Sequence, residues 1–258
     1  AAGRRHGTVL GLTYSSTPVT VSGLSTAVAV SAGIAHSCAL LADGTVRCWG
    51  YSGSSGRLGD GTTISSSTPV TVSGLSTAVA VSASHSSVGA DYTCAVLTDG
   101  TSWCWGDNII GQRSASTPAM IDGLSTAVAV NAGGSHTCAV LANGTIKCWG
   151  GNSYGQLGNG TATPSAPVTV SDLNSALAVS VSDGHSCAVL TGGTIKCWGY
   201  ISYGLFSTAT YFTTPTPTLG YLPLAWGSNS SAVASVNGQG QVQALAQGTA
   251  LITASAGG

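Results

Sequence analysis

Apolar and polar residues alternate along the chain in short runs, which are separated by segments rich in Gly, Ser and Thr. A period of two residues is typical of half-buried β-strands. The segment "HSCALLADGTVRCWG", from His36 to Gly50, contains two such runs on either side of Asp43 and Gly44. Asp-Gly between two runs of this kind predicts a β-hairpin.

The hairpin phrase occurs four times, within a longer unit that also repeats. Each unit contains a short alternating strand, the two strands of the hairpin, a polar loop and a fourth strand near Pro69 to Val72. The first strand begins with "GLSTAVAV", or with "DLNSALAV" in the last unit, and returns after 51, 49 and 49 residues. Four strands in about 50 residues predict one blade of a β-propeller, so the chain is expected to be all-β.

Two cysteines occupy equivalent positions in every hairpin. Cys38 and Cys48 are equally distant from Asp43, so a hairpin centred on Asp43 places them directly opposite each other. Gly44 is then third in a three-residue loop, a position that needs the left-handed conformation that glycine adopts without strain. The other three pairs obey the same rule: Cys94 and Cys104, Cys138 and Cys148, and Cys187 and Cys197.

The opposed cysteines predict one disulfide within each of these four hairpins. Directly opposite residues of an antiparallel pair have Cβ atoms about 4.5 Å apart, which a disulfide can bridge. Zinc is the alternative, but zinc sites favour cysteine pairs separated by about two to four residues, and the chain has no pair at that spacing. Because disulfides persist in oxidising compartments, we expect an extracellular or cell-surface protein.

The repeat resembles a known family in two of its motifs. The segment "GIAHSCALLADGTVRCWG" and the loop "GQLGNGT", from Gly155 to Thr161, occur in register within the repeating unit. Together they resemble the regulator-of-chromosome-condensation repeat, and most closely its secreted bacterial variety with paired cysteines and Cys-Trp-Gly. The resemblance covers roughly residues 16–200. It implies a β-propeller, usually of seven blades, and in some relatives a propeller face that binds a protein partner.

Both ends of the chain contain hairpins without cysteine. Ala234 and Ala244 occupy the cysteine positions of a fifth hairpin, and Ala1 and Gly11 occupy those of another at the N-terminus. Residues 249–258 resemble the strand that precedes a hairpin, which the N-terminal hairpin lacks. We therefore expect a β-propeller of about six four-stranded blades, closed by a terminal clasp strand in which residues 249–258 complete the blade begun at Ala1.

The predicted propeller is a single domain over residues 1–258. It consists of a first partial blade in residues 1–22, four repeats in residues 23–220, and a last blade with its clasp strand in residues 221–258. The last segment has a second interpretation, because residues 224–255 also resemble half of a bacterial group 2 immunoglobulin-like domain. A complete sandwich of that type needs about a hundred residues, so its other half would lie outside this chain or on a neighbour. We favour the closing blade.

Composition excludes several classes of function. Only 6% of the residues are charged, with Lys+Arg 7 against Asp+Glu 8, so no basic surface for nucleic acid is expected. The hydrophobic content of 43% and the positive mean hydropathy argue against disorder. The sequence contains no apolar run as long as a membrane span.

Three histidines, His36, His136 and His185, precede the first cysteine of their hairpins, and Tyr92 takes the same position in the second unit. Imidazoles repeated around a propeller axis could bind zinc or copper. A position that recurs in every repeat is more typical of a structural role, so each ring is expected to hydrogen-bond the backbone of a neighbouring blade. We predict no metal and no other cofactor.

A tryptophan follows the second cysteine of every cysteine hairpin, at Trp49, Trp105, Trp149 and Trp198. The identical placement predicts packing in the wedge between adjacent blades, and a carbohydrate-stacking ring is the alternative. Trp103 and Trp226 fall outside this pattern and are expected to be exposed.

The second unit has a longer loop before its first cysteine. The loop exceeds that of the first unit by five residues, and a departure that the scaffold does not need is a functional candidate. A tolerated surface insertion is the alternative interpretation. The candidate partner-contacting residues are Ser84, His85, Ser86, Ser87, Val88, Gly89 and Ala90.

No catalytic residues are predicted, since the chain has no paired carboxylates, no nucleophile with a base and no phosphate-binding loop. The favoured function is a non-enzymatic extracellular structural protein, a surface-layer or fibre subunit that assembles head to tail through the terminal strand. The alternative is a secreted module that binds or inhibits another protein through a propeller face. The partner is accordingly either the protein itself or another protein. The nuclear exchange-factor role of the family's namesake is not expected, because disulfides and a neutral surface do not suit the nucleus.

Overall fold

The repeating units form four separate four-stranded antiparallel sheets in a computed structural model. The structure describes residues 16–85, 91–107, 114–201, 210–217, 225–228, 230, 232–236, 242–246 and 252–255. None of these residues lies in a helix, and accordingly no membrane-spanning helix is found among them. The sequence prediction of an all-β propeller-type fold is confirmed.

In each sheet, hereafter a blade, the spatial order of the strands follows their order in the chain. Blade 1 comprises β1 (Ala27–Ala32), β2 (His36–Leu41), β3 (Val46–Gly50) and β4 (Ser66–Thr71). Blade 2 comprises β5 (Ala78–Ala83), β6 (Tyr92–Leu97), β7 (Ser102–Gly106) and β8 (Ala115–Met120). Blade 3 comprises β9 (Ala127–Ala132), β10 (His136–Leu141), β11 (Ile146–Gly150) and β12 (Ser165–Thr169). Blade 4 comprises β13 (Ala176–Val181), β14 (His185–Leu190), β15 (Ile195–Ile201) and β16 (Thr210–Pro217).

The cysteine hairpins have the predicted register. Cys38 is paired directly with Cys48, and the other three pairs are opposed in the same way. Each pair is joined by a disulfide. Gly44 has a φ of 79°, the left-handed conformation that the three-residue loop requires. The carboxylate of Asp43 accepts hydrogen bonds from the backbone N–H and the hydroxyl of Thr45, which fixes the turn.

The first strand of every blade contains a β-bulge at the same place. In β1 the register with β2 shifts between Ala27 and Ala29, which leaves Val28 as the extra residue. The equivalent shift occurs in β5, β9 and β13. First strands of successive blades contact one another, so they form the inner edge of the array. The extra residues are apolar and exposed along that edge: Val28, Val79, Val128 and Leu177.

The hydrophobic core lies between blades, because a single sheet has no interior of its own. Three clusters of buried residues fill the three seams between blades 1 and 2, blades 2 and 3, and blades 3 and 4. Each blade contributes a forward face to the seam with the next blade, represented in blade 1 by Cys38, Leu40, Val46 and Cys48. Each blade also contributes a back face to the seam with the preceding blade, represented in blade 2 by Ala78, Val81, Ala95, Leu97 and Trp105. The alternation of side chains along each strand separates the two faces.

The C-terminal segment has a different strand pairing from the four blades. Its described strands are β17 (Ala225–Ser228), β18 (Ala234–Val236), β19 (Val242–Ala244) and β20 (Ile252–Ser255). Ala234 pairs with Ala244, as the predicted fifth hairpin requires. However, β17 pairs with β20, and β18 with β19 alone, so these strands form two two-stranded sheets instead of one four-stranded blade. The pairing of β17 with β20 joins strands that are distant in the chain, and the spacing of residues about a hairpin turn predicts only pairing between consecutive strands.

The proposed clasp depends on residues 1–15, which lie outside the described part of the chain. The described portion of the clasp segment, β20, pairs with β17 along one edge. Closure by this strand and a total of six blades therefore stay predictions, as does the division into residues 1–22, 23–220 and 221–258.

Candidate interaction surface

Buried histidines cross two of the seams and reach hydroxyl groups of the next blade. His36 Nε2 lies 2.8 Å from Thr93 Oγ1, and His136 Nε2 lies 2.6 Å from Ser186 Oγ. In both cases the hydroxyl belongs to the residue that precedes the first cysteine of the next hairpin. The prediction that these rings bond a neighbouring blade is confirmed. Their partner is a side-chain hydroxyl, however, and not the backbone that we expected.

The second and fourth blades vary this arrangement. The Tyr92 hydroxyl donates to the backbone oxygen of His136 at 2.9 Å and is hydrogen-bonded to Thr137 Oγ1 at 2.8 Å. His185 instead bonds within its own blade, with Nδ1 2.7 Å from Ser182 Oγ. The described contacts of His185 include no bond to a neighbouring blade, so for this residue the expected bond stays a prediction.

Both seam histidines are held neutral. Burial and the positive charge of Arg57 lower the pKa of His36 to about 4, and burial and His185 lower the pKa of His136 to about 3. Nδ1 of each ring is buried without a hydrogen-bond partner, which suits a neutral ring whose proton is on Nε2. Within the described residues, no three His, Cys, Asp or Glu side chains come together as a metal site. The two neutral rings therefore have a structural role, in which each links its blade to the next through a buried hydrogen bond.

Three of the four tryptophans that follow a second cysteine pack into the seams as predicted. Trp105, Trp149 and Trp198 are buried, whereas Trp49 of the first blade is only half buried. The Trp198 indole N–H donates to the backbone oxygen of Gln156 at 2.7 Å. A Cβ on Gly158 would lie 2.8 Å from the same indole ring, so the glycine of this loop leaves room for the tryptophan of the next blade.

The remaining two tryptophans have different positions. Trp103 was expected to be exposed, but it is half buried against the first seam and donates its indole N–H to Thr101 Oγ1 at 2.9 Å. The side chain of Trp226 lies outside the described part of the structure.

A second kind of seam bond joins the first strands of successive blades. The backbone N–H of Ala83 donates to Ser31 Oγ at 2.9 Å, and that of Ala132 donates to Ser82 Oγ at the same distance. Asn131 Oδ1 accepts the N–H of Val181 at 2.8 Å. One polar side chain on the first strand of blades 1, 2 and 3 thus satisfies a backbone donor on the first strand of the next blade.

The long loops of all blades lie at one end of the sheets. In an antiparallel blade the connection between the first and second strands and that between the third and fourth strands emerge at the same end, here called the loop face. The opposite end carries the tight hairpin turns. Ser84 and His85, with which the predicted partner loop begins, therefore lie at the same end of the sheets as the "GQLGNGT" loop of blade 3.

Arg57 links the loop face of blade 1 to that of blade 2. Its guanidinium lies 2.7 Å from Asp91 Oδ2 and 3.1 Å from Asp107 Oδ2, and it stacks 5.3 Å from the centre of the Tyr51 ring. Asp107 also accepts hydrogen bonds from Ser55 Oγ and from the backbone N–H of Asp91. Burial raises the pKa of Asp91, the charge of Arg57 opposes this rise, and the neighbouring Asp107 adds to it. This cluster was not predicted from the sequence.

The candidate partner loop begins from a fixed base. Ser84 is fully buried, its N–H donates to the backbone oxygen of Tyr92, and its hydroxyl accepts the Tyr92 N–H, each at 2.9 Å. Ser84 therefore belongs to the scaffold and not to a contact surface. His85 is exposed. The other candidates, Ser86, Ser87, Val88, Gly89 and Ala90, lie outside the described residues.

Three tyrosines form an aromatic cluster on the loop face of blades 3 and 4. The rings of Tyr154 and Tyr211 are stacked with centroids 5.5 Å apart, and Tyr200 lies 5.5 and 5.1 Å from them. Tyr154 is 44% exposed and Tyr211 is 58% exposed. Aromatic rings with polar tips are enriched at protein interfaces, so this cluster is a candidate contact surface that the sequence prediction missed.

Stacked four-stranded blades with buried inter-blade seams define a repeat-built propeller fold. Family models described as "Regulator of chromosome condensation (RCC1) repeat" match residues 27–57, 127–156 and 177–204 in one case and residues 43–96 and 143–189 in the other. The matched segments together cover more than half of the chain. The chain belongs to the RCC1 repeat family.

Solved structures agree with this assignment at the level of the fold. Human WBSCR16 is 19% identical with a TM-score of 0.64, over 78% of this chain and 55% of that structure. The structure of Kap60 bound to yeast RCC1 (Prp20) contains a chain that is 18% identical with a TM-score of 0.56, over 73% of this chain and 48% of that one. The chain thus spans about half the length of these two neighbours. A comparison with curated protein sequences gives no match.

Proposed function

We propose that the chain is a non-enzymatic extracellular structural protein, a subunit of a surface layer or a fibre. Its four disulfides are typical of proteins in oxidising compartments outside the cytosol. The main support for the proposal is a repeated interface. Equivalent faces pack together between blades 1 and 2, between blades 2 and 3, and between blades 3 and 4. An interface that joins identical units head to tail can extend an array, which is the requirement for a filament or layer.

The charge distribution supports the same function. The chain has Lys+Arg 7 and Asp+Glu 8, a formal net charge of −1, and one of its few cations, Arg57, is paired with both Asp91 and Asp107. Low net charge promotes association, because copies that approach each other meet little electrostatic repulsion.

Electron microscopy of the protein secreted into an oxidising compartment tests the proposal, over a series of concentrations and in parallel with sedimentation velocity. We expect ordered fibres or sheets that grow with concentration. The control is the same protein reduced and alkylated at its eight cysteines, which is expected to lose the ordered assemblies. Dispersed single particles at the highest concentration would contradict the structural role.

A second candidate function is a secreted module that binds or inhibits another protein through the loop face. The exposed cluster of Tyr154, Tyr200 and Tyr211 favours it, since tyrosine is enriched where proteins bind partners. The structure in which Kap60 is bound to yeast RCC1 shows a neighbour of this fold in a complex with another protein.

Affinity capture from the native medium tests this second function. A specific partner should be recovered in fixed stoichiometry, and the double substitution Tyr154→Ala and Tyr211→Ala should abolish its recovery. Tyr51→Ala is the matched control, because Tyr51 is an exposed tyrosine of blade 1 on the same face. Deletion of residues 85–90, which keeps Ser84 in place, measures the contribution of the partner loop. Equal recovery with all variants would exclude the loop face as the binding surface.

A further inference from the structure

We infer that the tyrosine cluster of blades 3 and 4, together with the carboxylate of Asp183, binds an arginine side chain of a protein partner. The cluster comprises Tyr154, Tyr200 and Tyr211. The inference deepens the second proposed function, a module that binds another protein through the loop face, and rests on it. It names the chemistry of the partner, which is a guanidinium group on an exposed segment of its chain.

Blade 4 departs from the other blades at this cluster. In blades 1, 2 and 3 the third strand ends at the glycine of the Cys-Trp-Gly motif, whereas β15 continues through Tyr200 to Ile201. Tyr200 pairs directly with Tyr211 of β16, so the extension brings their two rings together, with centroids 5.1 Å apart. A departure that the scaffold does not need is a candidate for function.

Asp183 adds a carboxylate next to the rings. Gly184, the following residue, packs against the cluster, since a Cβ on it would lie 3.4 Å from Tyr200 Cβ and 3.6 Å from Tyr154 Cδ2. Asp183 is exposed, and its Oδ1 faces Gly134 of blade 3, which has no side chain to cover it. Among the described contacts, this carboxylate has no hydrogen bond and no ion pair.

The loop face between blades 1 and 2 shows what this combination of groups binds. There the Arg57 guanidinium lies 5.3 Å from the centre of the Tyr51 ring. It also pairs with Asp91 and Asp107 of the next blade. In blade 3 the position of Arg57 is taken by the neutral Gln156. The seam between blades 3 and 4 therefore has tyrosine rings and a carboxylate, but the preceding blade supplies no guanidinium.

Gln156 holds the two parts of the site together. Its Oε1 accepts the Tyr154 N–H at 2.8 Å, and its Nε2 donates to Ser135 Oγ at 3.4 Å. Ser135 Oγ in turn donates to the backbone oxygen of Asp183 at 3.1 Å. Glutamine at this position thus connects the tyrosine loop of blade 3 to the Asp183 loop of blade 4 and leaves the positive charge to come from outside.

The other Lys and Arg side chains of the described residues lie at the opposite end of the sheets. They are Arg47, Lys147 and Lys196, on the third strands beside the tight turns. Both lysines donate to backbone oxygens at that end. A planar guanidinium can stack on an aromatic face and pair with a carboxylate, whereas a lysine ammonium is a compact, strongly hydrated charge. An arginine of a partner therefore matches both halves of the site.

Titration of the protein with the peptide acetyl-Gly-Arg-Gly-amide tests the inference, with isotope-labelled tyrosines observed by NMR. The matched probe carries citrulline, which has nearly the shape of arginine without its charge. We expect the ring signals of the three clustered tyrosines to shift with the arginine peptide, and that of Tyr51 to stay in place. The citrulline peptide should bind at least about fivefold more weakly.

Variants separate the contribution of the rings from that of the carboxylate. Tyr154→Ala with Tyr211→Ala should remove binding, whereas Tyr154→Phe with Tyr211→Phe should keep it within about twofold, because phenylalanine retains the ring face. Asp183→Asn should weaken binding about threefold and reduce its dependence on salt concentration. Asp60→Asn is the matched control without effect, because blade 3 already has Asn159 at that loop position. Unchanged circular dichroism is required of every variant.

Equal affinities for the arginine and citrulline peptides would overturn the inference, as would full binding by the alanine double variant. If that variant does not fold, the citrulline peptide and Asp183→Asn decide the matter. The remaining arginines, Arg4, Arg5 and Arg113, lie outside the described residues. Their joint substitution by glutamine should leave the affinity unchanged, and tighter binding would overturn the inference by showing that the chain's own arginine occupies the site.

Affinity capture distinguishes failure of the inference from failure of the binding function. The arginine peptide in excess should displace the captured partner, and the citrulline peptide should not. A partner that is lost with the alanine double variant but resists the arginine peptide would leave the binding function in place and overturn the inference. Selective binding of the arginine peptide without recovery of any partner would support the chemistry of the site and argue against the binding function.

Discussion

The indole N–H of Trp105 donates to the backbone oxygen of Arg57 at 2.9 Å, across the seam between blades 1 and 2. The side chain of Arg57 crosses the same seam and forms ion pairs with the carboxylates of Asp91 and Asp107. One loop residue therefore binds the next blade through both its backbone and its side chain. The glycine two positions later, Gly59, leaves the space that the indole ring occupies, since a Cβ there would lie 2.6 Å from the indole nitrogen.

Substitution of Trp105 by Phe should lower the free energy of unfolding by more than the same change at Trp149. Both tryptophans are buried, so the loss of volume is similar, but only Trp105 has a hydrogen-bond partner among the described residues. Loss of that bond leaves the Arg57 carbonyl without its donor, at a cost of about 1–3 kcal/mol. Urea denaturation of both variants measures the difference, and equal losses would argue against a role for the indole bond.

Arg57→Gln should destabilise the protein by about 3 kcal/mol, near the lower end of the range for a broken buried ion pair, because Asp107 is partly exposed. Glutamine occupies the equivalent position in blade 3, as Gln156, so the substitution suits the loop itself. The control replaces all three members of the cluster, with Arg57→Gln, Asp91→Asn and Asp107→Asn. This triple variant should be more stable than the single one, since it leaves no carboxylate unpaired. A triple variant that is less stable would contradict this account.

Stability should decrease as the pH falls from about 6.5 towards 4. His36 and His136 have their pKa lowered to about 4 and about 3 in the folded protein, whereas an unfolded histidine titrates near 6.5. In this window the unfolded chain binds more protons than the folded one, so protonation favours unfolding by about 1 kcal/mol per pH unit for each histidine. Burial lowers the pKa of His185 as well, which acts in the same direction, whereas the raised pKa of Asp91 acts in the opposite one.

Denaturation curves of the His136→Gln variant across the same pH range isolate one contribution. Glutamine can keep a hydrogen bond to Ser186 but does not titrate, so the slope of stability against pH should become shallower. A slope identical to that of the unmodified protein would show that His136 is not a source of the dependence.

Mild reductant should open the disulfide of blade 4 before those of the other blades. Thiol–disulfide exchange requires access of a thiolate to one sulfur atom. Cys187 is partly exposed, whereas Cys38, Cys94 and Cys138 at the equivalent position are fully buried. Timed alkylation with peptide mapping should find Cys187 and Cys197 labelled first. Equal rates at all four bridges would indicate that global unfolding controls reduction.

The sequence predicted what depends on local geometry. The spacing of Cys38 and Cys48 about Asp43 determines the hairpin register, because a three-residue loop with a left-handed glycine leaves a single pairing. The burial of Trp105, Trp149 and Trp198 followed from their identical positions in a repeat. The hydroxyl partners of the histidines could have been found too, since Ser37, Thr93, Thr137 and Ser186 all precede a first cysteine.

Contacts that depend on the rotation between blades were not predictable. Arg57 and Asp91 meet because a loop of blade 1 lies beside the loop base of blade 2, and the repeat motif that contains Arg57 does not show which residues of the next blade lie beside it. The pairing of β17 with β20 joins strands that enclose a complete hairpin, whereas the repeat pattern favours pairing with the nearest strand. The Tyr154, Tyr200 and Tyr211 cluster likewise combines two blades.

A gene that encodes this chain can lengthen by in-frame duplication of a single 49-residue unit, because the new blade would bring one forward face and one back face that already match its neighbours. Deletion of a unit would rejoin the same two faces. Descendants of such a gene should therefore differ in blade number more readily than in the residues that line a seam, and recombination between near-identical units supplies that variation.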